Sequence, residues 1–162
     1  MKAIAPLLAA LMLTACVPEA PAQQPRPATA TPAPMVTPAR AGAKPIVIRN
    51  DRGGNVLQAI RRRAELERSG RPVEVRGYCR SACTIYITLP NACLGRGARV
   101  GFHAPRIEGT TIIPPYVDQM MGSFYRNGIR QRWFGGWNRA RDMQIITARE
   151  YVRLDPQTRL CN

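Results

Sequence analysis

The segment from residue 17 to residue 44 sets the first limit on what this chain can fold into. It reads "VPEAPAQQPRPATATPAPMVTPARAGAK" and consists largely of Pro, Ala, Thr and Gln. A segment with so few large apolar side chains cannot bury enough surface to offset the conformational entropy lost on ordering. We therefore predict an extended tether over residues 16–44 and one folded domain of ordinary size over residues 45–162.

The first fifteen residues, "MKAIAPLLAALMLTA", combine a lysine with a short apolar run and small residues. This pattern is typical of a signal peptide, and the run is too short for a transmembrane helix. It ends in "LTAC", which resembles the lipobox of bacterial lipoproteins and implies acylation of Cys16. The alternative is an ordinary signal peptide followed by a chance cysteine.

These features predict an exported protein that is anchored to the periplasmic face of the cell envelope by a lipid on Cys16. Valine and proline follow Cys16, so no aspartate favours retention in the inner membrane, and we expect the outer membrane.

Basic residues dominate the charge of the chain. The net charge is +14, and after Lys44 every basic residue except His103 is an arginine. In a cytosolic protein this balance would suggest nucleic acid. In an exported protein we expect anionic envelope polymers or lipids as partners, and no nucleic acid. The triplet "RRR" at 61–63 fits a solvated helix face better than a binding patch.

Four cysteines remain once Cys16 is assigned to the lipid. They are Cys79, Cys83, Cys93 and Cys161. An even number in an oxidising compartment predicts two disulfides but does not fix their pairing. A zinc site built from the first three with His103 is the alternative, but its spacing, C-x3-C-x9-C-x9-H, fits none of the usual zinc motifs. We therefore predict no metal and no cofactor.

The first half of the folded part alternates between strand and helix patterns. The segments "PIVIRN", "RPVEVRGY" and "ARVGFH" predict strands. Between them, "NVLQAIRRRAELERSG" predicts an amphipathic helix, and "SACTIYITL" predicts a second helix. The apolar side of the first helix should carry Val56, Leu57, Ile60, Ala64 and Leu66. This order predicts the α/β class, with βαβ units and a mainly parallel sheet.

The second half is predicted to be mainly helical. Residues 116–137 are read as helix with glycine interruptions, and their aromatic side chains are expected mostly in the core. A last short helix should begin after Thr147 as its N-cap. Cys161 would then join the C-terminus to the domain.

Residues suited to acyl transfer lie at the ends of the predicted strands. Such chemistry needs an activated nucleophile, a base and amide donors for the oxyanion. Ser81 stands where a strand meets a helix, His103 closes a strand and is the only histidine, and Gly53 and Gly54 follow the first strand. Because parallel strands end at one edge of a sheet, these residues can converge. A thiol mechanism using Cys79 or Cys83 is an alternative that an oxidising compartment disfavours.

The segments "IVIRNDRGGNVLQAI", "SACT" and "ARVGFHAP", in this order, resemble the superfamily of the Clp protease proteolytic subunit and crotonase. The resemblance covers about residues 46–106. In the peptidase branch it implies Ser81 as nucleophile, His103 as general base, and the backbone N–H groups of Gly54 and Ala82 as oxyanion donors. It also implies a shortened domain, because the strand and helix that normally precede "PIVIRN" would fall in the tether.

The same resemblance implies an acid that orients the histidine and assembly into a homo-oligomer. The aspartates available after His103 are Asp118, Asp142 and Asp155, and Asp142 is the nearest match. Residues 116–137 could form an oligomer interface or complete the core of a monomer.

Two functions follow from these observations. The shortened domain, the uncertain acid and the positive charge favour a lipid-anchored module for binding or assembly without catalysis. The alternative is an envelope serine hydrolase that acts on peptides through Ser81 and His103.

Overall fold

The computed structural model describes residues 42–162, so the predicted signal peptide, the lipidation of Cys16 and most of the tether lie outside the described residues. The strands are β1 (Ile46–Asp51), β2 (Val73–Arg80), β3 (Ala92–Leu94), β4 (Arg99–Phe102) and β5 (Gln144–Thr147). The α-helices are α1 (Val56–Arg68), α2 (Val117–Phe124), α3 (Asn127–Phe134) and α4 (Ala148–Leu154), and there are 3-10 helices at Ser81–Tyr86 and Trp137–Arg139.

The five strands form one mostly parallel sheet. Its order is β1-β2-β4-β5, and β3 pairs with the first half of β2 while β4 pairs with the second half. Strands β1, β3 and β4 run parallel to β2, and only β5 is antiparallel to its neighbour. The predicted α/β class and mainly parallel sheet are therefore confirmed, although β3 and β5 were not predicted.

Helix α1 begins after Asn55 as its N-cap and buries a narrower face than predicted. The Asn55 side chain accepts a hydrogen bond from the Gln58 N–H, which satisfies one of the free donors at the helix start. Ala59 and Leu66 are buried, whereas Leu57 is 54% exposed. The prediction that Leu57 packs on the core side is wrong, because the first turn of α1 lies beside an open cavity. The same prediction for Ala64 is also wrong, since Ala64 is exposed.

The segment after β2 is a 3-10 helix rather than the predicted α-helix, and Arg63 contacts its C-terminal end. The Arg63 guanidinium donates to the carbonyl oxygens of Ile85 and Thr88 and lies 4.9 Å from the centre of the Phe124 ring. Carbonyls at a helix end lack partners inside the helix, so these bonds satisfy them. Of the "RRR" triplet, Arg61 and Arg62 are exposed as predicted, but Arg63 is half-buried.

Aromatic side chains from the second half of the chain pack against β4. Tyr125 and Trp133 are buried and lie 5.5 and 6.5 Å, ring centre to ring centre, from Phe102. These contacts confirm the core prediction for both residues. Phe134 differs, since 39% of its surface is exposed. None of the described helices has the length and apolar character needed to span a membrane.

The C-terminal segment is held by a disulfide and by a buried carboxylate. Cys161 forms a disulfide with Cys93, and α4 begins at the predicted cap, Thr147. The fully buried carboxylate of Asp155 accepts hydrogen bonds from Arg126, Asn127 and Thr158. Burial alone would raise the pKa of Asp155, but these hydrogen bonds outweigh burial and hold the pKa below its usual value.

Candidate functional site

Ser81 occupies a strained turn between β2 and the 3-10 helix. Its φ of 55° lies in the left-handed region, which a residue other than glycine rarely adopts and which costs about 1–2 kcal/mol. Strain of this kind is typical of a nucleophile elbow, where a sharp turn from strand to helix exposes the reactive hydroxyl. Ser81 lines a cavity of about 800 Å³.

A disulfide between Cys79 and Cys83 closes a small ring around Ser81. The two Cα atoms are 5.5 Å apart, and both cysteines are buried. With Cys93–Cys161 this makes the two predicted disulfides, and both fit an oxidising compartment. Neither Cys79 nor Cys83 is a free thiol in this structure, which removes the cysteines as nucleophiles and as zinc ligands. Residues 42–162 contain no cluster of His, Cys, Asp and Glu suited to a metal ion.

The glycine turn after β1 packs directly against the Ser81 turn. The Gly53 N–H donates to Asp51 Oδ1 at 2.7 Å, and the φ of Gly53 is 83°. A Cβ atom on Gly53 would lie 2.6 Å from the Arg80 carbonyl oxygen and 2.7 Å from Ser81 Cβ. No side chain fits in this space, so glycine is what allows the two turns to approach.

Gly54 and Ala82 are the residues that the resemblance assigns to the oxyanion site. Gly54 lines the cavity with a φ of 130°, and Ala82 is the second residue of the 3-10 helix, where backbone donors lack partners within the helix. Among residues 42–162, no hydrogen bond from either N–H group is found. Of the two residues, only Gly54 lines the cavity that holds Ser81, because Ala82 is buried and lines a second, smaller pocket with Gly53.

His103 follows β4 and lines the same cavity as Ser81 and Gly54. Burial lowers the pKa of His103, the nearby cations Arg106 and Arg80 lower it further, and the Ala104 backbone opposes them in part. The ring is therefore neutral at pH 7. Its Nδ1 atom is buried and has no hydrogen-bond partner within the described residues, which leaves Nε2 as the nitrogen that can face the cavity.

Asp142, the predicted acid, lies in the turn beside His103 but does not bind it. The Ala104 N–H donates to the Ala140 carbonyl, and Phe102 pairs with Gln144, so the intervening turn passes next to the histidine. Asp142 is exposed, and in the described part of the chain its carboxylate accepts no hydrogen bond from His103. Its role as the acid stays a prediction.

The other two aspartates have structural partners. The Asp118 carboxylate accepts a hydrogen bond from the Asn138 side chain at 2.9 Å. The backbone carbonyl of Asp118 accepts a hydrogen bond from Trp133 Nε1. Asp155 belongs to the buried cluster with Arg126. Neither carboxylate is free to orient the histidine.

The cavity wall adds charged and apolar groups that the sequence did not identify as site residues. Arg52 and Arg106 line it together with one acidic residue, Glu108. Leu57 and Ile107 also line it, and about half of each side chain is exposed. The sequence could have identified the two arginines as site residues, because Arg52 lies inside "DRGG" and Arg106 directly follows "FHAP".

Ser81 and His103 are not hydrogen-bonded to each other among the described residues, although they share the cavity. Hydrogen bonds of a catalytic pair are often long or absent before substrate binds. A comparison with models of protein families gave no match, and a comparison with curated proteins gave none.

Proposed function

We propose that this protein is a serine hydrolase of the cell envelope, of the Clp-protease and crotonase type, that cleaves peptide or other acyl bonds. One observation carries the proposal: Ser81 adopts a strained turn between strand and helix and lines the same cavity as His103 and Gly54. A strained residue in a cavity beside a neutral histidine is a typical arrangement for nucleophilic catalysis.

In the proposed reaction, Ser81 Oγ attacks the carbonyl carbon of the substrate while His103 Nε2 takes the hydroxyl proton. The N–H groups of Gly54 and Ala82 donate to the oxyanion that develops. When the intermediate collapses, the carbon–leaving-group bond breaks and the leaving group takes the proton from His103. Water, activated by the same nitrogen, then hydrolyses the acyl-enzyme.

The proposed place of action rests on the N-terminus and on the disulfides. The apolar run and "LTAC" support export and a lipid on Cys16. The two disulfides fit the periplasmic side of the envelope.

The proposal is tested by hydrolysis assays on the purified full-length protein. A panel of chromogenic short-chain esters and peptide anilides should include substrates that the protein hydrolyses, and one equivalent of a fluorophosphonate should stop their hydrolysis. Absence of turnover across the panel, or turnover that resists the fluorophosphonate, would contradict the proposal.

The pH dependence of hydrolysis reports on His103. Because the pKa of this residue is lowered below 6.5, the neutral ring that acts as base predominates above that pH. For an uncharged ester, kcat/KM should rise with pH through a midpoint below 6.5 and stay level from pH 7 to 8. Replacing Arg106 with Gln should move the midpoint upward, since a nearby cation is lost. A midpoint above 6.5 in the wild-type protein would contradict this assignment.

The bare Nδ1 atom of His103 favours a second candidate function, which is ligand binding without turnover. A histidine that accepts a proton is stabilised by a carboxylate on its other nitrogen, and His103 has none within the described residues. In that case the cavity would bind an acyl ligand as part of an envelope binding or assembly module. The fluorophosphonate separates the two functions, because a binding module would not react covalently at Ser81.

A further inference from the structure

Two arginines, Arg52 and Arg106, line the cavity around Ser81. The Arg52 Nε–H donates a hydrogen bond to the Tyr78 hydroxyl, with 3.1 Å between the heavy atoms. The Arg106 Nη2 group donates a hydrogen bond to the Arg141 carbonyl oxygen, also at 3.1 Å. Within residues 42–162, no salt bridge involves either guanidinium. Most of their N–H donors are therefore available to a molecule in the cavity.

The charge around the reacting groups is also positive. Arg106 and Arg80 lie close enough to His103 to lower its pKa, and among residues 42–162 only one acidic residue, Glu108, lines the cavity. Free guanidinium groups bind carboxylates through paired, charge-assisted hydrogen bonds. A substrate with a carboxylate near the scissile carbonyl would complement this field, while a cationic substrate would be repelled.

Apolar side chains also line this cavity. Leu57 on α1 is 54% exposed and Ile107 in the loop after His103 is 48% exposed, and both line the cavity. Large aliphatic groups that remain exposed beside charged groups gain contacts when an apolar part of a ligand covers them. They fit a side chain that neighbours the carboxylate.

From this arrangement we infer that the preferred substrate is an acyl compound, such as a peptide, with a carboxylate beside an apolar side chain, and that Arg52 and Arg106 select for the carboxylate. The inference rests on the proposed hydrolase function, because it concerns the substrate of the same site. The arginines are specificity residues and take no part in bond breaking.

Matched peptide pairs test this inference. Each pair consists of two quenched-fluorescence peptides with one leucine, identical except that a residue next to the leucine is Glu in one and Gln in the other. The pairs place this residue at successive positions on both sides of the scissile bond. For at least one pair, kcat/KM for the Glu peptide should exceed that for the Gln peptide by about tenfold, as one charge-assisted contact predicts.

The arginine variants then locate the source of the preference. In the double variant Arg52→Gln with Arg106→Gln the Glu-to-Gln ratio should fall to about one, whereas Arg153→Gln, an exposed arginine on α4 that does not line the cavity, should keep the wild-type ratio. Both peptides of a pair are compared with the same enzyme variant, so any change in the pKa of His103 that follows the loss of Arg106 affects both rates equally and cancels in the ratio. A wild-type Glu-to-Gln ratio of one or less for every pair would overturn the inference, and so would a preference for Glu that persists in the double variant. Turnover of the Gln peptide in either case would still support the proposed hydrolase function. No turnover of any peptide or ester would overturn both.

Discussion

Replacing Ser81 with Ala should lower the rate of hydrolysis by at least about 10³-fold, because the nucleophile is lost while binding and oxyanion donors remain. The substitution removes only the hydroxyl, and alanine tolerates the local backbone about as well as serine does. Folding should therefore be little changed, as circular dichroism and thermal unfolding would verify.

The matched control is Ser123→Ala. Ser123 is exposed on α2, donates its hydroxyl to the Met120 carbonyl, and does not line the cavity. This variant should keep the wild-type rate. Equal rates for Ser81→Ala and Ser123→Ala would show that the observed hydrolysis does not depend on Ser81.

Replacing Gly53 with Ala should destabilise the fold by about 2–5 kcal/mol, from about 1–2 for the left-handed backbone and about 1–3 for overpacking. The new Cβ would meet the Arg80 carbonyl oxygen at 2.6 Å and the Ala82 nitrogen at 2.8 Å, and backbone atoms cannot move aside as the end of a side chain can. The Ser81 turn would have to shift, so hydrolysis should fall as well, even at temperatures where the variant remains folded.

Urea unfolding of the variant measures the first effect, and the rate at a temperature well below the unfolding midpoint measures the second. Gly97→Ala is the control, because a Cβ at that position meets nothing within 4 Å and its φ lies outside the left-handed region. Stability of Gly53→Ala equal to that of Gly97→Ala would mean that the two turns do not pack as described.

The meeting of Ser81, His103 and Gly54 in one cavity could be predicted from topology. Ser81, His103 and Gly54 each follow a strand, and parallel strands end at one edge of a sheet, so their convergence in one cavity follows from the βαβ order. Thr147 as a cap and Cys161 as a C-terminal staple were also predicted correctly, since both depend on local chemistry or on an even cysteine count.

The features that the sequence missed have several physical causes. Strand β3 has only three residues, and in β5 two neighbouring isoleucines, Ile145 exposed and Ile146 buried, break the apolar–polar alternation. The pairing of Cys79 with Cys83 follows from the close approach of a strand end and a 3-10 helix, which spacing alone does not reveal. The exposure of Leu57 depends on the cavity beside α1, and the bare Nδ1 of His103 depends on how the turn that contains Asp142 is arranged.

If Ser81 is a nucleophile whose base is His103, a reagent that modifies activated serines should react at Ser81. The full-length protein is treated with a fluorophosphonate, its mass is measured, and the modified peptide is sequenced by mass spectrometry. We predict one adduct per chain, located on Ser81, and formation at least about 10³-fold slower in His103→Ala. No adduct, an adduct on another residue, or an equal rate in His103→Ala would contradict the account.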